Sequence, residues 1–439
     1  MKGDRLIRFV LSIVALAAIG IAWSEYRSLR LIDRADPAAS LENILDRQPW
    51  GGLGSLHAAR VLNLRWRMDP EGADEVLSRQ LARYPIDPVS WLLRSTVAFQ
   101  LDTAPDIRAG HLAVATATQP GNRDVQWQAA MIALRGGDLH LTERHLKQAA
   151  ASSRRQVSQA IFVAQRWIDD PDTLLDRVVP DSEEHLVEAM RHARNQNDLT
   201  LARTIWQRLD HPREPGERVV SDYLGLALDR GAFELVTSAW AELDPKYRPG
   251  NLPTGHFHLP IEAMPTFGWR TRMPTGVRLT RETVTGVPWR HAEDGDDGDN
   301  SALRLIFDGS ENLRFRHLWV RFPVLEPGRY QLSGWWRGEH LTTRSLPRLE
   351  AALSRSGQRQ RLEAPSGHFS WQPFTMDLEV TTPMDTFLLR VIRDNTHAFD
   401  RYIEGSMWLA ALDLEKLPSS SIQHLNEASE PEGSDPAQP

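Results

Sequence analysis

The hydrophobic period of this chain changes near residue 250. Before that point apolar residues recur at helical spacing, in units of about 35 residues. After it they alternate at period two among many aromatics, the pattern of strands with one buried face. One kind of secondary structure cannot satisfy both periods. The sequence therefore predicts an all-α region followed by an all-β region, with a third segment ahead of both.

That third segment is basic and then apolar. Lys2, Arg5 and Arg8 precede the run Phe9 to Trp23, which is 15 residues long. The run is short for a membrane-spanning helix but sufficient if Arg8 snorkels to the headgroups. Trp23 and Tyr26 stand where an interfacial aromatic belt would lie. Residues 1–30 are expected to be an N-terminal transmembrane helix, amino terminus inside. A cleaved signal peptide is the alternative, with Ala15-Leu16-Ala17 as its cleavage-like element. Either reading exports the rest of the chain.

Residues 40–247 carry the helical period. The Trp91–Trp127 spacing is 36, Pro85–Pro120 is 35 and Asn197–Gly231 is 34. Gly137-Asp138, Asn197-Asp198 and Gly231-Ala232 each interrupt an apolar stripe as a short turn. The 60 residues from Gly137 to Asn197 leave room for an extra or distorted unit. Two helices per 34–36 residues resembles the tetratricopeptide repeat, with the small residue after the turn clear at Ala202 but replaced by Thr142 and Val236. The repeat resemblance implies a stacked helical solenoid with a groove for a protein partner. Trp91, Trp127, Trp167, Trp206 and Trp240 fall on the apolar stripes and are expected in the inter-helix core.

Residues 249–417 carry the strand period. Tyr330, Leu332, Gly334 and Trp336 share one face; so do Phe374, Met376, Leu378 and Val380, then Phe387, Leu389 and Val391, and Leu303, Leu305 and Phe307. Asp308-Gly309, Glu326-Pro327-Gly328, Ser356-Gly357 and Pro365-Ser366-Gly367 mark turns. Many short strands with regular turns predict a sandwich or barrel. Residues 418–439, rich in Ser, Pro and Glu, are expected to be a disordered tail.

Within the strand region, Phe307-Asp308-Gly309, Val324 through Tyr330, and Gly334-Trp335-Trp336-Arg337 resemble jelly-roll carbohydrate-binding modules. Trp371 and Ile403-Glu404-Gly405-Ser406-Met407-Trp408-Leu409 fill the later positions, and Gly255-His256-Phe257-His258 resembles the entry strand. The whole architecture resembles membrane-anchored repeat proteins of bacterial exopolysaccharide and O-antigen polymerisation. The resemblance implies a single-pass inner-membrane protein with its bulk in the periplasm. It also implies membrane-embedded polysaccharide polymerase or export proteins, and a polysaccharide, as partners. Many such modules hold a structural calcium ion, but His258 and Ala410 stand at two of its usual acidic positions. A hard cation needs several oxygen ligands.

Glycan contact needs an exposed ring to stack on the apolar face of a sugar, with polar groups beside it. Trp335 and Trp336 point to opposite faces of one strand. The candidates are Trp335, Trp336, Trp371 and Trp289, with Arg337, Arg321 or Gln331 to fix hydroxyls. Asp294, Asp296, Asp297 and Asp299 form a weak calcium candidate without the ordered spacing of an EF-hand. His256 and His258 would face the same way on a strand, without a nameable third ligand.

Composition narrows the function classes. With 51 Lys and Arg against 58 Asp and Glu, the net charge is −7, which argues against a nucleic-acid binder. The absence of cysteine removes disulfides, thiol nucleophiles and cysteine zinc sites. No carboxylate spacing singles out an acid–base pair, and neither G-x-S-x-G nor a P-loop occurs. The expectation is a non-catalytic anchored scaffold with no cofactor. The sandwich either holds a glycan or serves only as a cap on the repeats. A cryptic hydrolase or lyase is the third reading.

Overall fold

The computed structural model describes residues 68–209, 213–248, 250–287, 301–324, 326–397, 399 and 401–418, with five positions between Val14 and Trp23. Most of the proposed anchor and nearly all of the expected tail lie outside these residues. No helix among the described residues is long and apolar enough to cross a membrane.

Eleven helices are described: α1 (Pro70–Arg83), α2 (Pro88–Gln100), α3 (Pro105–Thr118), α4 (Arg123–Arg135), α5 (Leu139–Ser152), α6 (Arg154–Ala164), α7 (Pro171–Val178), α8 (Glu183–Gln196), α9 (Leu199–Arg208), α10 (Arg218–Asp229) and α11 (Phe233–Leu243). Their starts are written in the sequence. The side chains of Asp69, Asp87, Asn122, Asp138, Asp170 and Asp198 each accept a backbone N–H of the first turn. Each such cap contributes about 1 kcal/mol. Proline opens α1, α2, α3 and α7, where its missing N–H costs nothing.

The turns share one construction. Gly137, Asn197 and Gly231 adopt positive φ (78°, 58° and 73°), and the residue after each is the N-cap from which the next helix starts. Four residues beyond that start, Thr142, Ala202 and Val236 are all fully buried, so the three positions are equivalent although their side chains differ. The 60-residue gap holds an additional pair, α6 and α7, of which α7 has only 8 residues. The tryptophans behave less uniformly than their stripes suggest. Trp240 is fully buried (1% exposed), whereas Trp91, Trp127, Trp167 and Trp206 are half-buried. Trp167 lies in the turn after α6 and donates its indole N–H to the Glu143 carboxylate at 3.0 Å.

The chain divides into two compact units, residues 1–192 and 193–439. In the second unit the last helices join a two-sheet sandwich. A 3-10 turn (Met264–Phe267) leads into β1 (Trp269–Arg270), β2 (Val277–Thr283), β3 (Ser301–Asp308), β4 (Phe315–Val324), β5 (Gly328–Leu341), β6 (Arg348–Leu353), β7 (Arg359–Glu363), β8 (Gly367–Val380), β9 (Asp385–Arg393) and β10 (Glu404–Lys416). One sheet, here the front, runs β2-β3-β10-β5-β8; the back sheet runs β1-β4-β9-β6-β7. Every pairing is antiparallel. The alternating apolar residues of the two sheets meet between them. Leu305, Leu332 and Leu378 come from the front and Phe322, Phe387 and Leu389 from the back, all at most 2% exposed. Phe322 and Phe387 lie with ring centroids 5.0 Å apart.

Helices and sandwich are joined through α10 and α11. The Trp240 indole N–H donates to the Thr266 carbonyl at 2.7 Å, and its ring meets Phe267 and Tyr247. The Gly216 N–H donates to the Thr266 hydroxyl at 3.1 Å. Arg321 of β4 pairs with Asp229 at the end of α10. The segment expected to be an entry strand, residues 255–258, is not a strand: Gly255 and His256 lie in a turn closed by the Phe257 N–H on the Thr254 carbonyl, and Phe257 has φ 53°. His256 and His258 therefore do not form a strand-borne pair, and the His258 ring lies 3.2 Å from the Asp244 carboxylate.

Candidate functional site

β5 alternates from Tyr330 to Glu339. Tyr330, Leu332, Gly334, Trp336 and Gly338 face the core, and Gln331, Ser333, Trp335, Arg337 and Glu339 face outward on the front sheet. Trp336 is 4% exposed and packs against Phe374 and Phe369. A ring enclosed between two sheets cannot reach a sugar, which removes Trp336 from the candidates. Its neighbour Trp335 stands on the opposite, outward face.

Two further aromatics share that face. β10 pairs with β5 in the register Ser406↔Glu339, Trp408↔Arg337 and Ala410↔Trp335, which places Trp408 outward beside Arg337. On the other side β3 sets Arg304 opposite Trp408. β8 carries a register shift where Trp336 pairs with Gln372 and Gly338 with Phe369. A shift of this kind re-aims the side chains within it. Trp371, in that shift, is half-buried and packs with Trp335 against the cluster of Trp408, Ala302, Ala410 and Val287.

Trp408 is held from every direction. Its ring lies between two guanidinium groups, Arg304 at 4.5 Å and Arg337 at 4.8 Å from the ring centroid. Cation–π contacts of this kind contribute about 0.5–2 kcal/mol each. The indole N–H donates to the Glu282 carboxylate at 3.0 Å, and Arg304 donates to the same carboxylate at 3.0 Å and to the Ser406 hydroxyl at 3.1 Å. Arg337 pairs with Glu339. Burial disfavours the ionised form of Glu282. The hydrogen bonds from Trp408 and Arg304 outweigh that, and the carboxyl is held below its ordinary range. The result is a fixed platform: Trp408, 3% exposed, is its buried support, the half-buried Trp335 and Trp371 packed on it are the rings that reach the surface, and Arg337, Glu339 and Ser333 are polar groups along one edge.

Two other candidates are engaged already. Arg321 is on the back sheet in its pair with Asp229, and Gln331, on the same outward face of β5 as Trp335, donates to Asp377 at 3.0 Å. Trp289 and the acidic residues Asp294, Asp296, Asp297 and Asp299 lie outside the described residues. Trp408, Arg304, Glu282 and Ser406 belong to the platform although none of them is among the glycan-binding candidates read from the sequence, where Ser406 and Trp408 appear only in the final-strand motif. The signal for Arg304 was present: it sits between Leu303 and Leu305, and so on the opposite face.

No family model and no curated protein matches this chain. Among solved structures the chain is similar to the MamA RS-1 ArsTM double mutant, with 15% identity over 40% of this chain and 96% of that one, TM-score 0.29. It is also similar to the TmCBM61 structure in complex with β-1,4-galactotriose (13% identity, 33% of this chain, 90% of that one, TM-score 0.21). A third is the CBM22-1 xylan-binding domain of Paenibacillus barcinonensis Xyn10C (12% identity, 40% and 99%, TM-score 0.22). Likenesses this weak define neither the fold nor the ligand of this chain.

Proposed function

We propose that the protein is a non-catalytic envelope scaffold that binds a polysaccharide on the outward face of its front sheet and a protein partner through its helix pairs. The observation that carries this reading is the convergence of the half-buried Trp335 and Trp371 on one face, packed on the buried Trp408, with Arg337 and Glu339 beside them. Aromatic faces bind the C–H faces of sugar rings, and the polar edge groups fix hydroxyls. A platform held rigid before binding loses little entropy when the ligand arrives.

A purely structural sandwich is supported by a different set of aromatics. Trp240 and Phe267 are where the sandwich covers the last helix pair. The platform aromatics pack on strands and the β2–β3 connection instead. The two roles use different surfaces, so capping the helices leaves the platform for a ligand. Against hydrolysis, a glycosidase acid needs a carboxyl whose pKa is raised. Glu282 is held low and Glu339 is tied to Arg337.

The anchored, periplasmic placement rests on Lys2, Arg5 and Arg8 ahead of the Phe9–Trp23 run. The assignment to polysaccharide polymerisation or export, with membrane-embedded polymerase or export proteins as partners, rests on the resemblance of the whole architecture. The test of the central reading is a fluorescence titration of the full chain with the polysaccharide of its own host. A saturable tryptophan change that weakens at least about tenfold in Trp335→Ala and in Trp371→Ala supports it. Unchanged affinity in both variants would refute it.

A further inference from the structure

The back sheet also has an outward face, and its composition is different. One residue from each of its five strands lies in register: Arg270, Trp319, Arg390, Glu350 and Arg361. At an inter-strand spacing of about 4.8 Å this row spans about 19 Å. The adjacent row is Arg321, Leu388, Ala352 and Arg359.

Glu350 organises these rows. It is 0% exposed although it lies on the outward face, because the arginines cover it. It accepts from the Arg361 Nε at 2.7 Å and the Arg390 Nε at 2.5 Å, with the Arg359 Nε 3.8 Å away. Among the described residues no second carboxylate meets these three arginines. One carboxylate therefore serves three guanidiniums and leaves an excess of two positive charges. Arg361 and Arg359 keep 46% and 53% of their side-chain surface exposed. Arg270, at the other end of the row, is also exposed. Trp319 is half-buried and lies between Arg270 and Arg390.

A guanidinium presents its N–H groups in a planar fork that matches a carboxylate. Holding that fork in place beforehand removes much of the entropic cost of binding. A ring in the same row supplies a stacking surface for a sugar. Phosphate-bearing polymers would meet the same local charge, and the oligonucleotide arm of the test below separates them from a carboxylate-bearing glycan. From these observations we propose that the outward face of the back sheet is a second glycan surface, selective for an acidic polysaccharide whose sugars carry carboxylates. This surface is independent of the front platform.

The test uses the full chain in detergent micelles, titrated calorimetrically with oligogalacturonate and with its fully methyl-esterified form. The acid form is expected to bind, the ester to bind at least about tenfold more weakly, and the affinity for the acid to fall as salt rises. The double substitution Arg359→Gln/Arg361→Gln is expected to lower affinity for the acid form by about tenfold or more. Both side chains are half-exposed, and an unchanged melting temperature confirms that the fold is kept. A control that removes equal charge from the front sheet, Arg278→Gln/Arg329→Gln, is expected to leave the affinity within about twofold. Equal binding of acid and ester, equal losses in the two double variants, or equally tight binding of a single-stranded oligonucleotide would each overturn the proposal.

Discussion

Trp335 and Trp336 are consecutive, yet they do opposite work. Trp336 fills the core against Phe374 and Phe369, so Trp336→Ala should cost about 3–5 kcal/mol in a denaturant titration. Trp335→Ala should cost clearly less while removing part of the platform. Glu350→Gln should destabilise by about 2 kcal/mol, since it strips a hydrogen-bonded carboxylate from three arginines that are themselves partly solvated. The acidic groups also set a pH dependence. Burial opposes ionisation of Glu350, but hydrogen bonds from Arg361 and Arg390 prevail and hold its pKa below the ordinary 4.5. Glu282 behaves the same way. A depressed pKa gives stability that is present above 4.5 and lost as pH falls through the folded value. Thermal melts should show the sandwich weakening only below about pH 4.5, and the loss should be smaller in Glu350→Gln.

Elements were legible where one of their faces is polar. The alternation on β3, β5, β8 and β9 is visible in sequence, and each series that shares a face there lies inward. β10 was harder to read, because Met407 and Leu409 face the core while Trp408 and Ala410 are buried on the other side. A strand covered on both faces shows no period-two signal, which is why Trp408 was not recognised as part of the platform. Trp371 depended on a register shift that no local pattern encodes. Residues 255–258 alternate like a strand but are bent by Phe257 at positive φ. In the helical elements, His145 of α5 is buried with its Nδ1 2.9 Å from the Gln126 Oε1. Burial, aided by Arg144, lowers its pKa from 6.5 to about 4. The unfolded chain therefore gains a proton before the folded one, and stability should fall as pH drops from 6.5 to about 4. A denaturation series across that range should show the slope, and His145→Gln should flatten it.

At the scale of the whole molecule, the sequence placed the change of period near residue 250, but the compact units divide between His192 and Ala193. Periodicity reports secondary structure; it does not report which helices a sandwich holds. Here Trp240, Asp229 and Asp244 tie α10, α11 and the following turn to residues of the β region. A fragment beginning at residue 193 should therefore melt cooperatively, and one beginning at 249 should melt at a clearly lower temperature. Gly268 sits at this joint with φ 81°, and a Cβ there would lie 2.2 Å from the Arg321 carbonyl oxygen. Gly268→Ala should destabilise the 193–439 fragment by more than about 1 kcal/mol, measured by chemical denaturation.

The most direct measurement is hydrogen exchange on the full chain, with and without its host's polysaccharide at saturation. The account predicts slower exchange in the strand segments that carry Trp335, Trp371 and Trp408, with α4 and α5 unchanged. Saturable binding with protection confined to the helices would contradict it.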